Sequence, residues 1–319
     1  MRCPTLSELP NPPIGLTGWP WTVEGARVPD SMEDGTQWPL ISIVTPSYNQ
    51  GEYLEATIRS ILLQGYPNLE YVVMDGGSTD DSLAIIRKYS PWLAHWESGP
   101  DGGQYAAVQK GFEHSGGDIM AWLNSDDMYF QWTLHRVAEL FSAFARVRWL
   151  STAMPCQIVA EDGLFTFQQI PDYSRRAFYS QNFTGRTPFI TQEACFWRKD
   201  LWNETNARFD QTLNYAGDLD LWARFWQKTN LYTVNIPLGM FRYHAGQKTS
   251  FMELYKQEAR SVLRNYHRPF PIPQVVLCIL AFGLKRIRND INWFEVGAHK
   301  LFYSVEKKQW DSEISYRTF

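Results

Sequence analysis

Four short strings hold most of the side chains that could do chemistry: Thr45-Pro46-Ser47-Tyr48-Asn49, Asp75-Gly76-Gly77-Ser78-Thr79-Asp80, Asp101-Gly102-Gly103-Gln104 and Asn124-Ser125-Asp126-Asp127. They follow one another at intervals of about two dozen residues. Mg²⁺ and Mn²⁺ want hard oxygen ligands, often only one or two carboxylates with substrate phosphates completing the shell. Asp126 and Asp127 meet that demand. A Ser-Asp-Asp run also caps helices, and taken alone that is its commoner use.

The strings act together only if the elements around them bring them to one edge. Ile41 to Val44, Glu70 to Met74 and Ile119 to Leu123 are short, nearly continuous apolar runs, which is how strands covered on both faces read. Between the first two, Leu54, Ile58, Ile61 and Leu62 recur at helical spacing, with Asn49 as the N-cap and Glu52 three residues later. A second helix opens near Ser78 or Thr79 with Leu83 and Ile86 inward, and a third carries Tyr105, Val108 and Phe112. Alternating strands and helices with right-handed crossovers predict a doubly wound α/β core. Each string ends a strand or opens a helix, so all four collect at the sheet edge where open α/β folds bind ligands. In that frame Ser78 and Asp80 read first as helix caps, and Gly76 and Gly77 as a turn.

These strings, with Gln64-Gly65-Tyr66-Pro67-Asn68-Leu69-Glu70-Tyr71, Tyr215-Ala216-Gly217-Asp218-Leu219-Asp220-Leu221-Trp222 and Arg242-Tyr243-His244, resemble in content and order the family 2 glycosyltransferases of the GT-A fold. The likeness runs over roughly residues 40 to 250. It implies a doubly wound mixed sheet with C-terminal helices, and transfer of a sugar with inversion from a nucleoside diphosphate sugar to a hydroxyl acceptor, a glycan or lipid-linked sugar, in polysaccharide or glycolipid assembly. A sugar nucleotidyltransferase is a rival reading, although the first loop lacks a glycine-rich, basic phosphate loop. A non-catalytic glycan binder is another.

The resemblance also distributes roles. Asp75 would contact the nucleobase and Asp101 the base or ribose, while Pro46, Tyr48 and Asn49 form the nucleotide-facing first loop. Gln104, Asn124 and Ser125 belong to the same donor set. The family motif often has Asp where this chain has Asn124, so the first metal role falls to Asp126, with Asp127 supporting it. His244 would help hold the metal or diphosphate, and its neighbours Arg242 and Lys248 suit phosphate oxygens. Asp218 stands where the family has its catalytic carboxylate, and the alternative there is a plain N-cap. An unperturbed pKa of about 3.9 would leave it ionised at neutral pH. Asp220, four residues before Arg224, reads as half of a surface ion pair. Gln192 and Glu193 would face the acceptor.

Composition bounds the rest. A net charge of −4 argues against a nucleic-acid partner. Cys3, Cys156, Cys195 and Cys278 are too scattered for a disulfide framework or a zinc site. Residues 1–39, with prolines and Trp19, Trp21 and Trp38 but no apolar leader run, predict an extended arm laying its tryptophans on the core. A cytoplasmic compartment follows as the expectation. Residues 251–319 are expected to be a helical extension, in which Met252, Tyr255, Ala259, Val262 and Tyr266 face inward. The apolar run Val275 to Leu284 is too short to span a bilayer. Beside Lys285, Arg286 and Arg288 it suits either a buried helix or peripheral attachment at the inner face of the membrane.

Overall fold

The computed structural model describes residues 1–159, 165–167, 173–179, 189–266 and 297–315. The first half alternates as its periodicity dictates: β1 (Ile41–Ser47), α1 (Gly51–Leu62), β2 (Leu69–Asp75), α2 (Ser82–Tyr89), β3 (His95–Ser98), α3 (Gln104–Glu113) and β4 (Ile119–Trp122). Then come β5 (Met128–Tyr129), α4 (Thr133–Ala143), β6 (Trp149–Thr152), β7 (Cys156–Val159), β8 (Phe165–Phe167), α5 (Arg175–Tyr179), β9 (Phe196–Arg198), α6 (Lys199–Glu204) and α7 (Gly217–Trp226). The chain closes with β10 (Tyr232–Val234), β11 (Gly239–Tyr243), α8 (Met252–Tyr266), β12 (Ala298–Ser304) and β13 (Gln309–Ser315).

Among the described residues the strands make two sheets, a main one in the order β13-β12-β10-β6-β9-β4-β1-β2-β3 and a small one in the order β5-β11-β7-β8. The main sheet is parallel apart from β9, which runs against β4 and β6, and the edge strand β13. Successive side chains of a strand point to opposite faces, and the core divides accordingly. Ile41, Ile43, Tyr71, Val73, Ile119 and Ala121 pack with α1, α2 and α4 through Ile58, Ile86 and Val137. Val44, Val72, Met74, Met120 and Trp122 face the other way, onto Val108 and Phe112 of α3, Leu219 and Trp222 of α7, and Ala259 and Val262 of α8. Burial on both faces is what the near-continuous apolar runs require.

The arm, residues 1–39, lies along this core without forming a helix. Cys3, Leu9, Val28 and Trp38 are buried, and Trp19 donates its indole N–H to the Tyr129 carbonyl at 2.8 Å. Fully buried Arg59 of α1 gathers it by donating to the carbonyls of Pro10, Pro20 and Trp21 at 2.8 to 3.0 Å.

Three expectations need correction. Helix α1 is capped at Gln50, because Asn49 takes a left-handed conformation (φ 52°) and turns its side chain away from the helix. The Asp220–Arg224 pair, 3.0 Å apart, has both side chains about 13% exposed and so is mostly buried; spacing four apart reads the same on either side of a helix. Among its described residues the C-terminal extension is helical in α8 and then turns to strands. β12 pairs parallel with β10 and antiparallel with β13, extending the main sheet where an uncovered edge would otherwise present unpaired backbone groups. Cys3, Cys156 and Cys195 are buried free thiols. The run Val275 to Leu284, its flanking basic residues and Cys278 lie outside the described residues. No helix among the described residues is long and apolar enough to cross a membrane.

Candidate active site

Two cavities meet at the carboxyl ends of β1, β2 and β4. The first, a cleft of about 570 Å³, is lined by Pro46, Tyr48, Asp101, Gln104, Asn124, Ser125, Asp126 and Lys248, among others. The second, a chamber of about 500 Å³, is lined by Tyr105, Trp122, Asp127, Gln192, Glu193, Tyr215, Asp218, Tyr243 and Tyr255, among others. Gln104, Asn124, Phe241, Lys248 and Thr249 belong to both. The wall between them is hydrogen-bonded: Gln104 Nε2 donates to Asn124 Oδ1 at 2.7 Å, Asn124 Nδ2 to Gln192 Oε1 at 3.0 Å, and Gln192 Nε2 to the Trp122 carbonyl at 2.7 Å.

The Asp126 loop is clamped from two sides. From α1, the Thr57 hydroxyl lies 2.9 and 2.7 Å from the carbonyls of Ser125 and Asp127. From β11, Arg242 donates its Nε to the Asp126 carbonyl at 2.8 Å and its backbone N–H to Asp127 Oδ1 at 2.9 Å. Its guanidinium carbon stands 5.1 Å from the centre of the Tyr53 ring, which also packs on His244 at 4.5 Å. Arg242, expected to meet phosphate, therefore holds the loop through its Nε and backbone. Tyr53 and Thr57 escaped the sequence reading because they look like ordinary positions of an amphipathic helix.

The donor set at Asp126 fits a divalent cation. His244 Nε2 is 3.1 Å from Asp126 Oδ2, while His244 Nδ1 is 2.9 Å from the Ala245 carbonyl. A ring nitrogen beside a carbonyl must carry the proton, which leaves Nε2 of the neutral ring as an acceptor facing another acceptor. Either an imidazolium or a shared cation resolves that conflict. Ligands at about 2.1 Å in octahedral geometry sit about 3 Å apart when adjacent, the separation seen here. Asp127 stands apart from that pair: it is 1% exposed, lines the chamber rather than the cleft, and its Oδ1 already accepts the Arg242 backbone N–H at 2.9 Å.

Two residues expected to contact the nucleotide are engaged within the loops. The Asp75 carboxylate, 3% exposed, accepts from the N–H groups of Gly77 and Ser78 at 3.2 and 3.0 Å and from the hydroxyls of Ser98 and Ser78. It shapes the loop that carries Gly76 to the cleft. Asn49 ties the first loop to the second, donating its N–H to Ser78 Oγ and accepting from Thr79 N–H, both at 2.8 Å. Asp80 caps two helices, accepting from Ser82 N–H at 3.0 Å and Gly51 N–H at 2.8 Å. Ser78, expected as a helix cap, is spent on Asp75 and Asn49.

Asp218 lies in the first turn of α7, which Trp222 anchors by stacking between Trp122 and Trp149 at 5.7 and 5.2 Å. Gly217 serves close approach rather than flexibility: a Cβ there would lie 2.7 Å from the Tyr105 ring. The preceding loop is held by Glu258 of α8, whose carboxylate accepts from the N–H groups of Asn214, Tyr215 and Ala216 at 2.8 to 3.0 Å. Glu258 was missed, though an acid amid the apolar stripe of α8 is a visible signal. Burial raises the Asp218 carboxyl to about 6, against the lowering pull of the Leu219 N–H and Lys248. That corrects the expected value. Lys248 donates to the Asn214 carbonyl at 2.7 Å, and burial lowers its own pKa.

The comparisons with known proteins agree with this geometry. Residues 42–191 match the family model described as glycosyl transferase family 2. An uncharacterized glycosyltransferase of Mycobacterium tuberculosis is 39% identical over 95 residues, 30% of this chain and 36% of that one. The alignment thus spans about a third of that relative's length. The putative teichuronic acid biosynthesis glycosyltransferase TuaG of Bacillus subtilis is 34% identical over 110 residues, 33% of this chain and 43% of that one. Among solved structures, S. aureus TarS in complex with UDP-GlcNAc superposes with a TM-score of 0.58 at 18% identity, covering 80% of this chain and 75% of that one. The fold is GT-A, and residues 42–191, just under half of the chain, are similar to glycosyl transferase family 2.

Proposed function

We propose that the chain transfers a sugar from a nucleoside diphosphate sugar to a hydroxyl acceptor with inversion, in the assembly of a cell-envelope polysaccharide or glycolipid at the cytoplasmic face of the membrane. One observation carries the reading: a single hydrogen-bonded wall, Gln104 and Asn124, separates a cleft holding Asp126 and Lys248 from a chamber holding Asp218. The donor's diphosphate occupies the cleft, and its anomeric carbon reaches the wall. Asp218 takes the proton of the acceptor hydroxyl, whose oxygen bonds to that carbon as the bond to the diphosphate breaks. Attack from the chamber side, opposite the leaving group, gives inversion. A carboxylate titrating near 6 accepts that proton more readily than an unperturbed one and is still mostly ionised at neutral pH.

Asp126 and His244 would hold Mg²⁺ or Mn²⁺, and the bound cation would supply Lewis-acid stabilisation of the departing diphosphate. Lys248, in the wall, adds positive charge near the same place. TarS is seen with UDP-GlcNAc and TuaG is named for teichuronic acid biosynthesis, which support the donor class and the product class respectively. The test is a panel of nucleoside diphosphate sugars, scored for metal-dependent hydrolysis and for thermal stabilisation. A chain that neither hydrolyses nor is stabilised by any of them does not have this function.

A further inference from the structure

Among the described residues Glu193 is buried in the chamber without a paired counter-charge. It sits in the 3-10 turn Gln192–Ala194, is 4% exposed, and lines the cavity that contains Asp218. Among the described residues the hydrogen bond that reaches its carboxyl comes from its own backbone N–H, and the charges that act on it, Asp218 and Asp126, have its own sign. Burial therefore pushes its carboxyl up to about 7. The side chain is fixed in this place. A Cβ on Gly239 of β11 would lie 2.5 Å from the Glu193 carbonyl oxygen and 2.9 Å from its Cγ, so the strand presses directly on the turn. Gln192, next to it, is bonded to Trp122 and Asn124. Burying a carboxyl that, among the described residues, has its own backbone N–H as its hydrogen-bond donor and no opposite charge works against stability, which points to a partner arriving from outside.

We infer that Glu193 reads the acceptor: its carboxyl takes the hydroxyl beside the one attacked from the chamber, and the acceptor is a sugar with neighbouring free hydroxyls and no anionic group. The inference rests on the proposed function in taking the chamber as the acceptor site. Tyr215, Tyr255 and Phe241 offer apolar ring surface suited to the C–H face of a sugar. A phosphate or uronate would instead enter among Asp127, Glu193 and Asp218, three acids against the one cation, Lys248, that lines the chamber among the described residues.

The experiment uses the full chain with Mg²⁺ and whichever nucleoside diphosphate sugar the panel selects. Neutral p-nitrophenyl glycosides are compared with their singly deoxy forms and with the matching uronides. For the parent, one deoxy position should raise the acceptor KM tenfold or more, and uronides should be poorer by a similar factor. Glu193→Gln should raise KM for the full glycoside tenfold while changing kcat only a few-fold, and should add no further loss on the deoxy acceptor. A structural role would lower kcat and the melting temperature together without that matching loss. An unchanged acceptor KM in Glu193→Gln, or uronides used as well as neutral sugars, overturns the inference while leaving the transferase reading intact. Calorimetric titration of the same glycosides in the presence of nucleoside diphosphate and Mg²⁺ gives a second readout, and a parent that binds none of the neutral ones also overturns it. Failure of the donor panel itself would instead strike the proposed function.

Discussion

The cleft and the chamber share a wall but treat their carboxylates in opposite ways. On the cleft side Asp75 is wrapped by N–H and hydroxyl donors, and Asp126 has an imidazole 3.1 Å away. On the chamber side Asp127, Glu193 and Asp218 are all raised, burial being the first cause each time. A place for charge needs acids fixed by donors. A place for proton transfer needs an acid whose affinity for the proton is not far below neutrality. One sheet edge thus supplies both, because loops rich in N–H groups serve one side and aromatic rings from β4, α3, β11 and α8 dry the other.

Breaking the chamber should cost most. Asp218→Asn is expected to lower turnover by roughly 10² or more while keeping the thermal stabilisation given by nucleoside diphosphate. The raised carboxyl adds a counterintuitive companion: the native state binds the proton more tightly than the unfolded chain, so stability is lost as pH rises toward about 6 and through it. At pH 8 the Asn variant should melt no lower than the parent. Should Asp218→Asn work at the parent rate while Asp220→Asn is inactive, the base has been assigned to the wrong residue.

Breaking the cleft comes next. Nucleoside diphosphate with Mg²⁺ or Mn²⁺ should stabilise the parent by about 2.7 kcal/mol at a hundredfold excess over Kd, and the same nucleotide concentration in EDTA should give clearly less. Asp126→Asn should lose the metal-dependent part. Equal shifts with metal and with EDTA in the parent would remove the cation from the cleft. The wall offers a finer probe. The rate of transfer should fall on the acid side through about pH 6, where Asp218 takes up its proton. Lys248 lowers that pKa, so Lys248→Met should move the acid limb to higher pH; an unmoved limb would mean that Lys248 does not act on the base.

The cleft was the more legible half in the sequence, for a physical reason. Its residues sit in contiguous strings at the ends of strands long enough to show a pattern, such as Ile41–Ser47 and Leu69–Asp75. The chamber draws on β7, β11 and the turn at Glu193, pieces of three to five residues that carry no period of their own. Asp75 and Asn49 show the limit even within the cleft: their residue types were right for a ligand, but the backbone donors around them could not be seen without the turns. The β12–β13 hairpin hid for a related reason, since half of it faces solvent at a sheet edge and lacks a clean apolar stripe.

Helix α1 faces both ways. On one side Tyr53 and Thr57 hold the Asp126 loop; on the other, Arg59 grips three carbonyls of the arm. The arm therefore acts as a splint on the beam that carries the cleft. Arg59→Met would orphan those carbonyls, at about 1–3 kcal/mol each, and loosening should reach the active site before the sheet gives way. Protease nicking at Pro10 to Trp21 ought then to track loss of donor binding, so that a segment without any catalytic side chain reports on the state of the catalytic edge.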